Sequence, residues 1–269
     1  MRIDLNSDLG EGFGPWKMGD DDTMLDIVTS ANVACGFHAG DPEIMHSMAR
    51  KAKARKVAVG AHPGYRDLIG FGRRPAAGVT GREIERLVAY QVGAFQAVCA
   101  LAGYRMSYVK THGALGNACN DDDGLADAVA RGIAAADPGL VWLVMPGTPT
   151  ERAAERAGLR PAREIYADRT YADSFNLAPR SRPDTVIHDA AAASRRALEM
   201  VSEGRLVSES GKSLKVEIDS ICVHGDNPAS VEMARGIRAA LEEEGWTLAP
   251  FAPPDSASIG HATDQVGPE

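Results

Sequence analysis

Short apolar segments of this chain repeatedly end in side chains that can move protons or bind ligands. Six of seven such segments are followed by a carboxylate, an imidazole, a charged amine, a guanidinium or an amide. These endings contribute Asn6, Asp8, Glu11, His38, His62, Lys110, His112, Asn117, Asp168, Arg169, His224 and Asp226. Because unpaired polar groups are costly to bury, their recurrence at one end of successive segments predicts one shared functional face.

Histidines carry much of this signal. A single histidine after an apolar segment usually serves only a local hydrogen bond, but four in matching positions predict a site, namely His38, His62, His112 and His224. We interpret the remaining three as structural or surface residues, namely His46, His188 and His261.

The spacing of the carboxylate, histidine and cysteine residues can be compared with two kinds of metal site. Asp8, His38 and His62 could form an open carboxylate–imidazole site of hydrolytic type. Cys35 and His38 have Cys-x-x-His spacing, but no second close pair completes a structural zinc site. The residues therefore allow a divalent metal without requiring one.

The apolar segments have the length and β-branched content of strands. They span residues 3–6, 31–35, 57–59, 106–109, 140–145, 164–167 and 218–223. Helical stretches between them begin at capping signals, as at Asp41-Pro42, Thr80 to Glu83 and Asn227-Pro228. A further helix is expected over residues 184–201, ending near Gly204.

Seven strands, each followed by a helical stretch, indicate an α/β protein with parallel pairing. An open doubly wound sheet would use mainly one crevice, whereas here nearly every strand end carries polar groups. We therefore predict a seven-stranded parallel (β/α) barrel, whose chemistry lies at the carboxyl ends of its strands. Residues 1–252 are expected to form this single domain and residues 253–269 a flexible tail.

Composition excludes several classes of protein. The 269 residues include 44% hydrophobic side chains, which excludes a disordered, collagen-like or disulfide-scaffold protein. The formal charge of −8 argues against a nucleic-acid partner, and no apolar run approaches the roughly 20 residues of a membrane span. Four scattered cysteines and the absence of a signal-peptide pattern indicate a cytoplasmic protein with reduced thiols.

Two common catalytic motifs are missing. Residues 210–213 read Ser-Gly-Lys-Ser, but Leu206 occupies the place of the first glycine of a phosphate-binding loop. The segment also precedes a strand, so we expect a surface turn between Val207 and Val216. There is no Gly-x-Ser-x-Gly elbow, and hence no indication of a serine triad.

Six ordered motifs resemble the LamB/YcsF family. They read DLNSDLGEG, SANVACGFHAGD, GAHPGY with FGRR, VKTHGALGN, ADRTY with PRS, and CVHGDNP, and they extend from about residue 1 to residue 246. The resemblance implies a barrel of the glycoside hydrolase/deacetylase type. It also implies ATP-dependent opening of the 5-oxoproline lactam to glutamate, together with two partner subunits. A homo-oligomer is compatible with this assignment.

The implied chemistry assigns roles to the strand-end residues. Arg169 or Arg180 would hold the substrate carboxylate through paired hydrogen bonds. Lys110 with His112 would stabilise the oxyanion, Asp8 or Glu11 would activate water, and His62 would protonate the departing nitrogen. The remaining residues are expected to contact substrate, namely Asn6, His38, Asn117, Asp168, His224 and Asp226.

Two alternatives remain open from the sequence. One is a metal-dependent deacetylase or amidohydrolase that acts alone, and the other is a ligand-binding scaffold subunit. Three departures from the family pattern, Thr111, Gly116 and Asn176, affect the expected pocket wall and leave the preferred lactam undetermined.

Overall fold

All seven apolar segments form strands in the computed structural model, which describes residues 1–179 and 182–254. The strands of the described residues are Arg2–Leu9 (β1), Ser30–Ala34 (β2), Ala58–His62 (β3), Tyr108–Lys110 (β4), Val141–Val144 (β5), Arg160–Tyr166 (β6), Arg205–Val207 (β7), Ser213–Lys215 (β8), Ser220–Cys222 (β9) and Thr247–Leu248 (β10). The predicted segments correspond to β1–β6 and β9.

These seven strands close into a barrel. Each pairs in parallel with its neighbour in the order β1, β2, β3, β4, β5, β6, β9, and β9 pairs back with β1. The short β10 pairs in parallel with the first residues of β1, and β7 with β8 forms an antiparallel hairpin. The predicted seven-stranded parallel barrel is therefore confirmed, as is the turn expected between Val207 and Val216.

Helices surround the barrel. Those of the described residues are Asp21–Leu25 (α1), Pro42–Arg55 (α2), Gly81–Leu101 (α3), Gly113–Asp121 (α4), Asp123–Ala136 (α5), Pro149–Arg156 (α6), Ala190–Glu203 (α7) and Pro228–Glu243 (α8). The expected caps are present: Asp41 accepts from the Ile44 amide, Thr80 and Glu83 form a capping box, and Asn227 accepts from the Ser230 amide.

One helix prediction needs correction. Helix α7 begins at residue 190 and not at 184, because the backbone amide of Ile187 donates to Asp168 and the carbonyl of Thr185 accepts from Thr170. Residues 185–187 are thus used in extended pairing, and Asp189 caps the helix instead. Helix α4 follows β4 directly and carries Asn117.

Successive residues of a strand alternate between faces, so the barrel strands present apolar side chains to the helices and a second set of side chains to the barrel interior. The inward set is polar on β1, whereas inward residues of β3 to β6 such as Tyr108 and Leu143 form a small apolar cluster. Outward residues such as Leu5, Val33 and Ile165 belong to a buried cluster with residues of the helices. Strand β1 presents Asp4, Asn6 and Asp8 inward, and the register pairs them with further polar residues on β2 and β9, including Asn32, Ser220 and Cys222.

A close approach inside the barrel requires glycine at position 60. A Cβ atom on Gly60 would lie only 2.3 Å from the Tyr108 ring. The phenol of Tyr108 donates to Asn32 at 2.7 Å, and its ring packs against Phe251 below the barrel. Tyr108 therefore links the polar interior to the base of the barrel, and it has this space only because Gly60 has no side chain.

The remaining predictions about the chain have mixed outcomes. The four cysteines are free and buried. Within residues 1–179 and 182–254, no helix is long and apolar enough to cross a bilayer. Arg180 and residues 255–269 of the expected tail lie outside the described residues, and a single domain over residues 1–252 stays a prediction.

We expect Gly60→Ala to lower the free energy of unfolding by about 1–3 kcal/mol, the usual cost of overpacking, because the new methyl group overlaps the Tyr108 ring. Gly93 is the matched control, since its added Cβ meets nothing within 4 Å in helix α3. Gly93→Ala should raise stability by roughly 0.5–1 kcal/mol. Urea unfolding measures both, and equal effects of the two substitutions would contradict the packing argument.

Candidate functional site

A buried ammonium group lies at the centre of the barrel. Lys110 Nζ is 2.9 Å from Glu164 Oε2, 3.4 Å from Asp8 Oδ1 and 3.0 Å from Asn6 Oδ1. We call these four residues the charged floor. Burial disfavours the ammonium, but the negative charges of Asp8 and Glu164 outweigh this cost and hold the pKa of Lys110 well above its usual value.

Asp8 is kept ionised by the same contacts. Burial opposes its charge, but the neighbouring His62 and Lys110 hold the pKa of Asp8 well below its ordinary value. Asn32 also donates to Asp8 Oδ1 at 2.8 Å. The carboxylate therefore remains negative at neutral pH and can accept a hydrogen bond from a ligand or water.

A second buried carboxylate lies one layer deeper in the barrel. Asp4 accepts hydrogen bonds from Thr29 at 2.5 Å and Ser30 at 2.6 Å, and also from Ser220. Burial raises the pKa of Asp4 to about 6, although these hydroxyl donors act in the opposite direction and the charge of Glu164 adds to the increase. Its environment is thus electrostatically distinct from that of Asp8.

Three imidazoles and one carboxylate meet beside the charged floor. We call Glu11, His38, His62 and His112 the Glu–His cluster; one ligand atom from each lies within 4.8 Å of all the others. The rings of His38 and His112 stack at 3.6 Å, and His112 Nδ1 is 3.0 Å from His62 Nε2. Such a donor set could hold a metal ion.

Burial shapes the charge of this cluster. Burial and the neighbouring imidazoles lower the pKa of His38 well below its usual value and that of His112 to about 3. Burial, together with the charges of Asp8 and Asp226, raises the pKa of Glu11 well above its usual value. The His38 and His112 rings are therefore neutral at neutral pH, whereas burial and the nearby carboxylates disfavour the charged form of Glu11.

The loop after β3 fixes one side of the cluster. Phe71 and Gly72 both have positive φ, at 54° and 60°, and this turn directs the Phe71 carbonyl to His112 Nε2 at 2.8 Å. A Cβ on Gly72 would lie 2.8 Å from His38 and 2.9 Å from His112. Glycine at this position therefore lets the loop lie directly on the two stacked rings.

A cavity of about 360 Å³ opens above the charged floor, which is within the size range of small-molecule sites. It has carboxylates on its floor and cationic groups at its wall. Of the predicted site residues, seven line it: Asp8, Glu11, His112, Asn117, Arg169, His224 and Asp226. Strand-end residues thus converge on one cavity.

The other predicted residues lie next to the cavity lining. Asn6, His38, His62 and Lys110 are buried below or beside it. Asp168 lies behind His224, with its Oδ2 atom 2.7 Å from His224 Nδ1. This carboxylate can orient the imidazole, an arrangement that general acid–base catalysis commonly uses.

Three contributors to the site do not belong to the polar strand ends. Glu164 binds Lys110 from β6, and Asn32 binds Asp8 from β2, yet both occur within predicted strands and not after them. Arg73, in the loop after β3, also lines the cavity. Asp4, Asn6 and Asp8 occupy alternate positions of β1, and this spacing indicates a polar face of the strand that points into the barrel.

The metal-ligand set expected from sequence also differs from the observed cluster. The sequence predicts a set of Asp8, His38 and His62, whereas the convergent group contains Glu11 and His112 with the two histidines. Asp8 remains adjacent, with Oδ2 3.3 Å from His62 Nε2. Its other oxygen, Oδ1, lies 3.4 Å from Lys110 Nζ.

Two of the three departures from the family pattern, Thr111 and Gly116, lie in the cavity wall. A Cβ on Gly116 would approach the Thr111 carbonyl oxygen to 2.9 Å, so a side chain there requires a backbone shift. Asn176 instead binds Asp121 and the Asn120 carbonyl. The first two positions therefore affect the cavity directly.

Comparison with known proteins gives one consistent result. A model described as the LamB/YcsF family matches residues 3–256. The chain is 56% identical over 252 residues to a protein from Rhodopseudomonas palustris (strain BisB5) that is named as a subunit of 5-oxoprolinase, covering 94% of this chain and 99% of that protein. It is 54% identical to the protein of the same name from Azorhizobium caulinodans, and that match covers 93% of this chain and 99% of the other protein.

A solved structure supports the same relationship. The crystal structure of a lactam utilization protein from Thermus thermophilus is similar to this fold, with a TM-score of 0.87 and 44% sequence identity. The match covers 93% of this chain and 100% of the other chain. The likeness therefore includes the whole barrel and the strand ends that form the cavity.

The buried Asp4 predicts a measurable pH dependence. Its native pKa of about 6 exceeds the ordinary 3.8, so the folded chain binds a proton that the unfolded chain loses between about pH 4 and 6. The stabilisation that this proton provides is therefore present at low pH and is lost as the pH rises through 6. Between about pH 4 and pH 6, the free energy of unfolding of the wild type should therefore fall by roughly 3 kcal/mol relative to that of Asp4→Asn.

Urea unfolding at several pH values measures this difference. The Asn side chain cannot titrate, so only the wild-type contribution changes with pH. A difference between the two proteins that stays constant from pH 4 to pH 7 would contradict the assignment.

Proposed function

Because this chain belongs to the LamB/YcsF family, we propose that it is one subunit of a 5-oxoprolinase, which hydrolyses the lactam of 5-oxoproline to L-glutamate. The proposal includes ATP use and two partner subunits. The observation that carries it is the convergence of strand-end carboxylates, imidazoles and a guanidinium on one small cavity, in a chain 56% identical to a relative named for that enzyme.

The cavity chemistry suits a small cyclic amide that bears a carboxylate. Arg169 lines the cavity and is largely buried, where a charge-assisted pair with a carboxylate is stronger than in water. Its Nη2 atom donates to the Ala178 carbonyl, which restricts the guanidinium orientation. We assign Arg169 to the substrate carboxylate, and Arg73 supplies a second positive charge at the rim.

Hydrolysis requires a water to be oriented and protons to be moved. Asp8 is ionised and faces the cavity, so it can accept a hydrogen bond from the attacking water. His224, held by Asp168, is assigned to take the proton of that water and return it to the departing ring nitrogen. Asn117 offers an amide donor to the carbonyl oxygen at the same cavity.

Lys110 receives a different role from the one expected on sequence. Its ammonium contacts Asn6, Asp8 and Glu164 and does not line the cavity. We therefore assign it to positioning, since it keeps Asp8 ionised and in place. His62 is likewise buried beside the cavity and is not assigned to protonate the leaving nitrogen.

ATP chemistry is assigned to the partner subunits. The Ser-Gly-Lys-Ser segment lies at the hairpin of β7 and β8 and does not open a helix. It therefore lacks the helix N-terminus with which phosphate-binding loops cradle phosphate. A partner would transfer the γ-phosphoryl group of ATP to the lactam oxygen and release ADP, which makes the carbonyl carbon a better electrophile. Attack of water and cleavage of the C–N bond then leave an acyl phosphate, and its hydrolysis releases phosphate and L-glutamate.

A second candidate is an amidohydrolase that acts without partners, which the Glu–His cluster favours. The two candidates differ in one requirement. The leading proposal needs ATP and the partner subunits for glutamate release, whereas the second predicts hydrolysis by the isolated chain.

We expect Asp8→Asn and His224→Gln each to lower glutamate release by about 100-fold or more, the usual loss when an acid–base group is removed. The assay uses the chain with its partner subunits, 5-oxoproline and ATP. His188→Gln, at an exposed histidine, is the control and should retain full turnover. Unchanged turnover in both site variants would remove the catalytic assignment.

We expect Arg169→Lys to raise the KM for 5-oxoproline by roughly 10-fold or more with a smaller change in kcat, because lysine keeps the charge but loses the paired donors. Arg131→Lys, in an exposed pair with Glu85, is the matched control. A thermal melt shows whether the variant remains folded. A folded variant with unchanged KM would show that another group binds the carboxylate.

A further inference from the structure

Two imidazoles of the Glu–His cluster have their tautomers fixed by backbone carbonyls. His62 Nδ1 is 2.8 Å from the Lys110 carbonyl oxygen, and His112 Nε2 is 2.8 Å from the Phe71 carbonyl oxygen. A carbonyl oxygen can only accept a hydrogen bond. Each of these two nitrogens must therefore carry the proton.

The opposite ring nitrogens then carry lone pairs that face each other. In a neutral imidazole only one nitrogen is a donor, so His62 Nε2 and His112 Nδ1 are both acceptors, and they are 3.0 Å apart. Asp8 Oδ2, a third acceptor, lies 3.3 Å from His62 Nε2. Such a contact is stable only with a positive charge between the atoms, which is either a proton or a metal ion.

The surroundings of Glu11 and His38 favour a metal ion over a proton. Glu11 Oε1 lies 3.5 Å from both His38 Nε2 and His112 Nδ1. Among the described residues, neither Glu11 Oε1 nor either ring nitrogen of His38 has a hydrogen-bond partner, although all three atoms are buried. A proton joins two atoms and leaves the others unsatisfied, whereas one metal ion can bind all four.

We propose that Glu11, His38, His62 and His112 form a binding site for a first-row divalent transition metal, of which Zn²⁺ is the representative. Three imidazoles and one carboxylate are suitable ligands for such an ion. The carbonyl contacts of His62 and His112 are the outer-sphere contacts that normally orient metal-binding imidazoles.

The site is reachable from the cavity. Glu11 and His112 line the cavity, whereas His38 and His62 form the buried side. When bound, the ion supplies Lewis-acid chemistry to a carbonyl oxygen or water in the cavity. The inference goes beyond the proposed function, and its test does not depend on catalysis.

Metal binding is measured on the full-length chain. The protein is stripped with a chelator and dialysed against Zn²⁺ or, separately, Co²⁺. Metal content is determined by mass spectrometry, and the visible absorption of Co²⁺ reports nitrogen and oxygen ligation. We expect one ion per chain, a Co²⁺ spectrum that Zn²⁺ abolishes, and a higher melting temperature with Zn²⁺.

Single substitutions assign the ion to the cluster. Glu11→Gln preserves the shape of the side chain and removes its charge, and His112→Gln removes a ring nitrogen. We expect each to weaken Zn²⁺ affinity by about 100-fold or more, since loss of an outer-sphere contact alone typically costs roughly 10–100-fold. His188→Gln is the control and should bind like wild type.

Two results would overturn the proposal. If folded wild-type protein binds no Zn²⁺ or Co²⁺, the cation between His62 and His112 is a proton. If Glu11→Gln and His112→Gln bind as tightly as wild type, the ion lies elsewhere. Melting curves of the metal-free proteins identify variants that do not fold, and His38→Gln then provides a further ligand substitution.

Discussion

The burial of the Lys110 ammonium inside the barrel is the constraint on which the rest of the site depends. An isolated buried charge costs several kcal/mol, so it persists only with paired and hydrogen-bonded partners. Asp8 and Glu164 supply the charges, and Asn6 accepts a further hydrogen bond. The barrel interior around Lys110 is therefore polar, the main apolar core lies between the strands and the helices, and a smaller apolar cluster around Tyr108 fills another part of the interior. Asp8 is held ionised at the cavity, which in turn disfavours a second negative charge on Glu11.

Much of the fold could be predicted because a few local rules decide it. Strand composition and the caps at Asp41, Thr80 and Asn227 gave the element order, and parallel pairing followed from the intervening helices. Closure of the barrel could be predicted because nearly every strand end is polar. The convergence of His38, His62 and His112 follows from the same geometry, since the carboxyl ends of parallel strands meet on one face.

Other features could not be read from the strand ends. Glu164 contributes from within β6, and its role is evident only when the register places it opposite Ser220 on β9. Arg73 belongs to a loop whose path depends on the positive φ values of Phe71 and Gly72. The late start of α7 likewise depends on pairing between residues 168–170 and 185–187, a tertiary interaction that overrides local helix propensity.

A crystal structure of the chain with 5-oxoproline bound would show whether the cavity above the charged floor binds the substrate. We expect the ring in the cavity above Lys110, with its carboxylate within hydrogen-bond distance of Arg169, its lactam carbonyl carbon facing Asp8 and His224, and its carbonyl oxygen toward Asn117. A ligand bound outside this cavity, or one whose carboxylate avoids Arg169, would contradict this expectation.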